Sequence, residues 1–331
     1  MFEKILLPLD GSALAERSIP HAIEFARIFK SKILLLRVLE PVISEECSQP
    51  AEPLQWQLLK AKTDLYMHDV ANQIRQALNL PQLEDETDGT DRVTVNILEG
   101  KIAENIVDFA QKEAIDLLVI SSHGSGGLSR WNLNSVVSKV VNLIYTPVLI
   151  IRGYQVESVE TTHLRYERIL IPIDCSRRSE YSLNAAIAFA QNSQSHLILT
   201  SVIKPPDIPT IEPFNQELQH LSDQFLELTH KALNYYLNEL SQRTAVDNEI
   251  RIIEHPSILQ AILQLAKDEN VDLIISCAHG HTGDTSWPFG TIARSLIEYC
   301  TKPVLVIQDL PRSQVTPSEA AQAAERTRSR E

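Results

Sequence analysis

The sequence predicts an α/β chain of two doubly wound, open parallel five-stranded sheets, related as a pseudo-twofold tandem repeat. Three observations predict this. The segment Ile5-Leu6-Leu7-Pro8-Leu9-Asp10-Gly11-Ser12 returns as Ile169-Leu170-Ile171-Pro172-Ile173-Asp174-Cys175-Ser176. The segment Asp116-Leu117-Leu118-Val119-Ile120-Ser121-Ser122-His123-Gly124 returns as Asp272-Leu273-Ile274-Ile275-Ser276-Cys277-Ala278-His279-Gly280. Between them, short apolar runs alternate with stretches of helical period, the mark of βαβ units. Repetition at this spacing implies two homologous domains of about 150 residues each. The expected division is domain 1 over 1–152, a polar linker over 153–167, domain 2 over 168–308, and a polar, flexible tail over 309–331.

Residues 3 to 9 are almost continuously apolar, as suits a strand covered on both faces. Ala15, Ile19, Ala22, Ile23 and Ala26 then recur at helical spacing, and Lys32 to Val38 forms the next strand. A long helix is expected from Pro53 to Leu78, with Leu59, Thr63, Tyr66, Val70, Ile74 and Ala77 along one stripe. Val93 to Leu98, Leu117 to Ser121 and Val148 to Ile151 read as strands; Ile102 to Glu113 and Ser135 to Ile144 read as helices. In the second copy, Arg168 to Ile173, His196 to Val202, Ile250 to Glu254, Leu273 to Ser276 and Val304 to Ile307 are the strands. Leu218, Leu221, Phe225, Leu228 and Ala232 mark its long helix. The acidic stretch Glu84 to Asp91 and the tail from Asp309 read as solvated surface.

At 331 residues and 44% hydrophobic, the chain can bury two ordinary cores. Its apolar runs fall far short of the ~20 residues needed to span a bilayer, and the N-terminus lacks a signal-sequence pattern, so the expectation is a cytoplasmic protein with no membrane partner. Cys47, Cys175, Cys277 and Cys300 form no CxxC pair, which argues for reduced thiols. A net charge of −13 without a basic cluster argues against a nucleic-acid partner.

In open parallel sheets, ligands bind beyond the carboxyl ends of the strands, where the strand order reverses. Asp10 and Asp174 end the first strands, and glycine-containing loops follow the fourth, each opening into a helix. Small residues before a helix N-terminus offer N–H donors to a phosphate, with Ser135 or Thr291 adding a hydroxyl. The plainer reading stands beside it: Ser135 and Thr291 are N-caps and the glycines turn the chain. Cys277, His279 and His281 alternate, but the first copy has Ser121, His123 and Ser125 there and no fourth ligand is evident, so no metal is assigned. His123 and His279 are expected to hold their loops by a hydrogen bond, with a general-base role as the alternative. No GxSxG elbow and no GxxxxGK[ST] loop is present, so no catalytic residue is assigned. Pro8 and Pro172 stand where an aspartyl-nucleophile phosphatase carries its first aspartate.

The arrangement resembles the universal stress protein family in its tandem two-domain form, over nearly the whole chain apart from linker and tail. The resemblance implies a Rossmann-like fold of the adenine nucleotide alpha hydrolase type and a stress-response binding and signalling module. Nucleotide-binding members carry G-x2-G-x9-G-S/T after the fourth strand, an aspartate after the first strand and a valine at the end of the second. Here the matches are Asp10 and Asp174, Val38 and Val202, then Ser121-x2-Gly124-x9-Asn134-Ser135 and Cys277-x2-Gly280-x9-Gly290-Thr291. Both copies depart from the pattern at the first glycine, and the first copy departs again at Asn134, whose side chain takes up space. The first loop offers Arg130, whereas the second has no Lys or Arg and contains Asp284.

The resemblance implies ATP or a related adenine nucleotide as ligand, with Mg2+ when a triphosphate is bound, and at most slow hydrolysis. The preferred site comprises Pro172, Asp174, Val202, Cys277, Gly280, Gly290, Thr291 and Ile292; its first-copy counterpart comprises Pro8, Asp10, Val38, Ser121, Gly124, Arg130, Asn134, Ser135 and Val136. The alternative is a nucleotide-free interaction protein, a pseudo-dimeric scaffold whose two domains pair through their last strands, with a homodimer as a further option.

Overall fold

The computed structural model describes residues 1–41, 53–80, 91–122, 133, 135–152, 164–208, 212, 214–281 and 287–310. The chain forms two compact units whose boundary falls between Arg165 and Tyr166.

The first unit runs β1 (Lys4–Pro8), α1 (Ala13–Glu16), α2 (Ile19–Phe29), β2 (Lys32–Leu39), α3 (Pro53–Ala77), β3 (Val93–Glu99), α4 (Ile102–Lys112), β4 (Leu117–Ser121), α5 (Ser135–Leu143) and β5 (Val148–Ile151). Its strands lie in the order β3-β2-β1-β4-β5, and every pairing is parallel. The second unit runs β6 (Arg168–Pro172), α6 (Glu180–Ser193), β7 (His196–Ile203), α7 (Asn215–Thr244), β8 (Asn248–Glu254), α8 (Ile258–Asp268), β9 (Leu273–Cys277), α9 (Thr291–Tyr299) and β10 (Val304–Ile307). Its order is β8-β7-β6-β9-β10, again all parallel. In each unit the order reverses beside the first strand, between β1 and β4 and between β6 and β9. A crevice beyond these carboxyl ends follows from that topology.

Burial explains why these segments are strands. Ile5, Leu6 and Leu7, like Ile169, Leu170 and Ile171, are fully buried, and each such side chain contributes about 1.5–3 kcal/mol by leaving water. The duplication extends to individual hydrogen bonds. The Asp116 carboxylate accepts from the backbone N–H of Glu3 and Lys4, and the Asp272 carboxylate accepts from Glu167 and Arg168. Both α2 and α6 end on a left-handed, non-glycine residue, Lys30 and Gln194, and the serine that follows, Ser31 or Ser195, donates to Phe2 O or Tyr166 O.

Two expectations are corrected here, and the long helix of the second unit stands where its apolar period placed it. Tyr166, expected in the polar linker, is buried and meets Phe189 edge-on at 5.4 Å between ring centres. Asp91, expected on a solvated acidic stretch, packs its carboxylate 2.6 Å from Arg75 with both side chains largely out of water; the rest of that stretch lies outside the described residues. On α7, Leu221, Phe225 and Leu228 turn outward, while Leu237 and Leu240 are buried. The outward stripe has a helical period, but the domain core takes a different face.

Candidate functional site

In the second unit, three adjacent strand ends supply the site. After β6, the chain turns at Cys175, whose φ of 64° lies in the left-handed region. This turn lets Ser176 N–H donate to Asp174 Oδ1 at 3.0 Å. From the loop after β9, His281 N–H donates to Asp174 Oδ2 at 2.6 Å. Burial of the Asp174 carboxyl works against ionisation, but the hydrogen bonds from Ser176, His281 and Ser179 outweigh it and hold the group below its ordinary value. Asp174 is therefore ionised at neutral pH, and its roughly four acceptor positions are shared between two backbone N–H groups and the hydroxyls of Ser176 and Ser179.

That contact explains Gly280. A Cβ at position 280 would sit 2.1 Å from Asp174 Oδ2, so any side chain there would displace the carboxylate. Gly290 is also closely held: its N–H donates to Ala278 O at 2.8 Å, and a Cβ would lie 3.2 Å from that same oxygen. Gly290 is the N-cap of α9 with no side-chain cap, and Arg294 N–H is the first to reach back to it, at 2.9 Å. The amides of Thr291, Ile292 and Ala293 precede that bond in the opening turn, where a helix has no acceptor of its own.

Val202 is placed by sheet parity. In a parallel strand, alternate residues direct both backbone groups to the same side. Thr200 O accepts from Ile173 N–H on the β6 side, and Ile203 O accepts from His255 N–H on the β8 side. Val202 therefore points its backbone toward β6, beyond the Pro172–Thr200 pair where that ladder stops. Val38 stands in the same relation to β1, since Leu36 O accepts from Leu9 N–H and Leu39 O from Gly100 N–H.

His279, expected to hold its loop by a hydrogen bond, makes one behind the loop, with a partner that the sequence pattern did not reveal. His279 Nδ1 stands 2.6 Å from Asp309 Oδ1 with both side chains 1% exposed, and Arg178 Nη1 lies 3.4 Å from Asp309 Oδ2. The ion-pair geometry puts the proton on Nδ1, so the imidazole donates and Asp309 accepts. The three residues follow β9, β10 and β6, three neighbouring strands. Asp309, expected to open a flexible tail, is instead a buried anchor of the loop. The signal available was positional: Asp309 follows the last strand by two residues, whereas position 153 in the first copy is glycine. The second copy also has a cation near its loop after all, in Arg178, supplied from the β6 turn. Cys277, at the missing first glycine, is buried and its thiol is pushed up to about 12, by burial first, with Asp309 and Asp174 nearby adding to it.

In the first unit, Gly11 takes the left-handed turn at φ 74°, and Asp10 Oδ1 accepts from both the N–H and the hydroxyl of Ser12. Ser12 Oγ in turn caps Ala15 N–H. Arg37 donates to Leu9 O at 3.1 Å; burial lowers its pKa and the nearby Asp10 opposes that shift. This cation at a strand end was not foreseen, and its counterpart in the second copy is Ser201. Pro8 is half-buried, Val38 and Ser121 are buried, Val136 is half-buried and Ser135 is exposed. Gly124, Arg130 and Asn134 lie outside the described residues, as does His123.

A parallel α/β module, made twice, with a carboxylate and a glycine-bounded helix start at the switch point of its second sheet, is thus the class of protein defined here. The chain belongs to the universal stress protein family: the family model matches residues 1–152 and again 165–308. A universal stress protein of Mycolicibacterium smegmatis is 26% identical over 305 residues, covering 92% of this chain and 96% of the relative. The crystal structure of a universal stress protein from Archaeoglobus fulgidus superposes with a TM-score of 0.64 at 17% identity, over 93% of this chain and 98% of that one, and shows the fold. A further solved universal stress protein, 19% identical with a TM-score of 0.34 over 46% of this chain and 98% of its own, is in complex with cAMP; that is a property of that protein. No helix among the described residues is long and apolar enough to cross a membrane.

Proposed function

We propose that this tandem universal stress protein binds an adenine nucleotide in its second repeat, as a cytoplasmic signalling module rather than a dedicated catalyst. The observation that carries the reading is the junction of Asp174, Gly280 and the Gly290-capped start of α9 at the ends of β6 and β9. An ionised carboxylate suits an adenine amino group or ribose hydroxyls, which would take the place of the Ser176 and Ser179 hydroxyls on it. The backbone of Val202 suits the base edge. Amides at the opening of α9, the Thr291 hydroxyl and the positive end of the helix dipole suit phosphate. Mg2+ would accompany a triphosphate, held mainly by phosphate oxygens and water.

The residues present accommodate such a ligand with two departures. Cys277 replaces a glycine, but its side chain is buried and uncharged, so it adds bulk without repulsion. Arg178 is shared with Asp309, so backbone donors carry the larger part of phosphate recognition. The test is mass spectrometry of ligand retained through native purification, followed by calorimetric titration with ATP and Mg2+. Binding by wild type, weakened at least tenfold in Gly290→Val, is the expected result. No retained nucleotide and no heat at millimolar ATP would overturn the proposal and leave the scaffold reading.

A further inference from the structure

α7 has two apolar faces, and the domain uses one of them. Its inner face carries Ser222, Leu226, Thr229, Leu233, Tyr236, Leu237 and Leu240, all buried or half-buried. The second face begins one residue away, at Phe225, and consecutive residues stand about 100° apart round a helix. Along it run Leu218, Leu221, Phe225, Leu228, Ala232 and Tyr235. Leu221 is 60% exposed, Phe225 51%, Leu228 67% and Tyr235 71%. A helix apolar over so much of its circumference is ordinarily covered on more than one side.

The spacing of the second face is 3, 4, 3, 4, 3, an unbroken heptad a/d pattern rather than the wider stripe of a helix lying on a globular core. We propose that this stripe is a docking surface for a second copy of the same chain, with the two α7 helices antiparallel. The pattern is self-complementary in that orientation. Pairing a with d layers about a twofold between residues 226 and 227 sets Phe225 against Leu228 of the second copy at the centre. Leu221 then meets Ala232 and Leu218 meets Tyr235, so a small residue opposes a large one in the intermediate layer. On the open flank, Gln224 faces Lys231 of the second copy and Glu217 faces Asn238, so no like charges are opposed.

The area suits a homodimer. Four side chains this exposed leave on the order of 500 Å² in water, given the ~150–250 Å² that an aromatic side chain alone can bury. Contributed by both copies, that is about 1,000 Å² before flanking residues are added, the lower end of specific interfaces. The corresponding helix α3 offers a shorter stripe, Leu54, Leu58 and Leu65, with Ala61 between. That stripe spans two layers, Leu54 with Leu65 and Leu58 with Ala61, and holds no aromatic side chain, against three layers with Phe225 and Tyr235 on α7, so α7 offers the larger apolar seam.

The test is the solution mass of the full chain by sedimentation equilibrium at micromolar concentrations. Wild type is expected to be dimeric, and F225E/L228E monomeric with an unchanged helical circular dichroism signal, because both residues are outside the core. Leu228→Gln gives the same test should the double variant fail to fold. L221C/A232C should form a covalent dimer on mild oxidation, while A232C alone should not. A monomeric wild type, a dimer that survives F225E/L228E or Leu228→Gln, or a dimer abolished instead by Leu65→Glu would each overturn the proposal.

Discussion

The two repeats share a fold down to single hydrogen bonds, yet differ at the carboxyl ends of their strands, where ligands bind. In the second repeat, the loop after β9 is pinned twice: from the front by Asp174, which accepts His281 N–H, and from behind by Asp309, which accepts from His279. The first repeat has Gly153 in place of Asp309 and Leu14 in place of Arg178, so its sequence lacks the rear anchor. It has Arg37 at a strand end where the second has Ser201, and a buried His21 where the second has Ala185. What differs is not the sheet but the device that holds the loop over it. Duplication preserved the frame, and the polar residues that set loop position diverged.

The largest effect expected from this comparison comes from Gly280→Val. The added side chain would collide with Asp174 Oδ2, costing about 1–3 kcal/mol by overpacking, and nucleotide affinity measured by calorimetry should fall at least a hundredfold. Next comes Asp309→Ala, which leaves the buried Nδ1–H of His279 without its acceptor at a cost of about 1–3 kcal/mol. Urea unfolding should report that loss, and hydrogen exchange should show faster exchange at 278–281 than in wild type. Unaltered exchange there would mean that Asp309 does not hold the loop.

A pH effect should single out the first repeat. Burial lowers the pKa of His21 to about 3. The folded state then binds fewer protons than the unfolded state between that value and the ordinary 6.5, so stability falls as pH drops through this window. The urea midpoint should decline from pH 6.5 toward pH 4, and more steeply in wild type than in His21→Ala, which installs the residue of the second repeat. Equal slopes would remove His21 from the account. The smallest effect is a reciprocal swap at the left-handed turn. Gly11→Cys should destabilise by about 1 kcal/mol, because a Cβ is disfavoured there even with open space around it, and Cys175→Gly should stabilise by up to about the same amount. Thermal unfolding of both variants checks it.

The sheets were legible in the sequence because fully buried parallel strands are continuous apolar runs, and each run appears twice. Asp174, Gly280 and Gly290 were legible as a pattern, but the reason for Gly280 was not. Nothing in the chain between residues 174 and 280 announces that a carboxylate will stand against that glycine. The partners of His279 stayed hidden for the same reason: His123 flagged the histidine as a residue that holds its loop, but Asp309 and Arg178 are far from it in sequence, come from other strand ends, and have Gly153 and Leu14 as their first-repeat counterparts. On α7, helical period identified the helix but not its buried face. Two apolar stripes compete there, and the one with the more regular spacing faces out.

Native mass spectrometry of the full chain with ATP and Mg2+ tests the central claim, that binding belongs to the second repeat, most directly. One nucleotide per chain is expected at saturation, with affinity at least tenfold weaker in Gly290→Val and unchanged in Arg37→Ala. Two nucleotides per chain, or one bound by Gly290→Val with wild-type affinity, would contradict it.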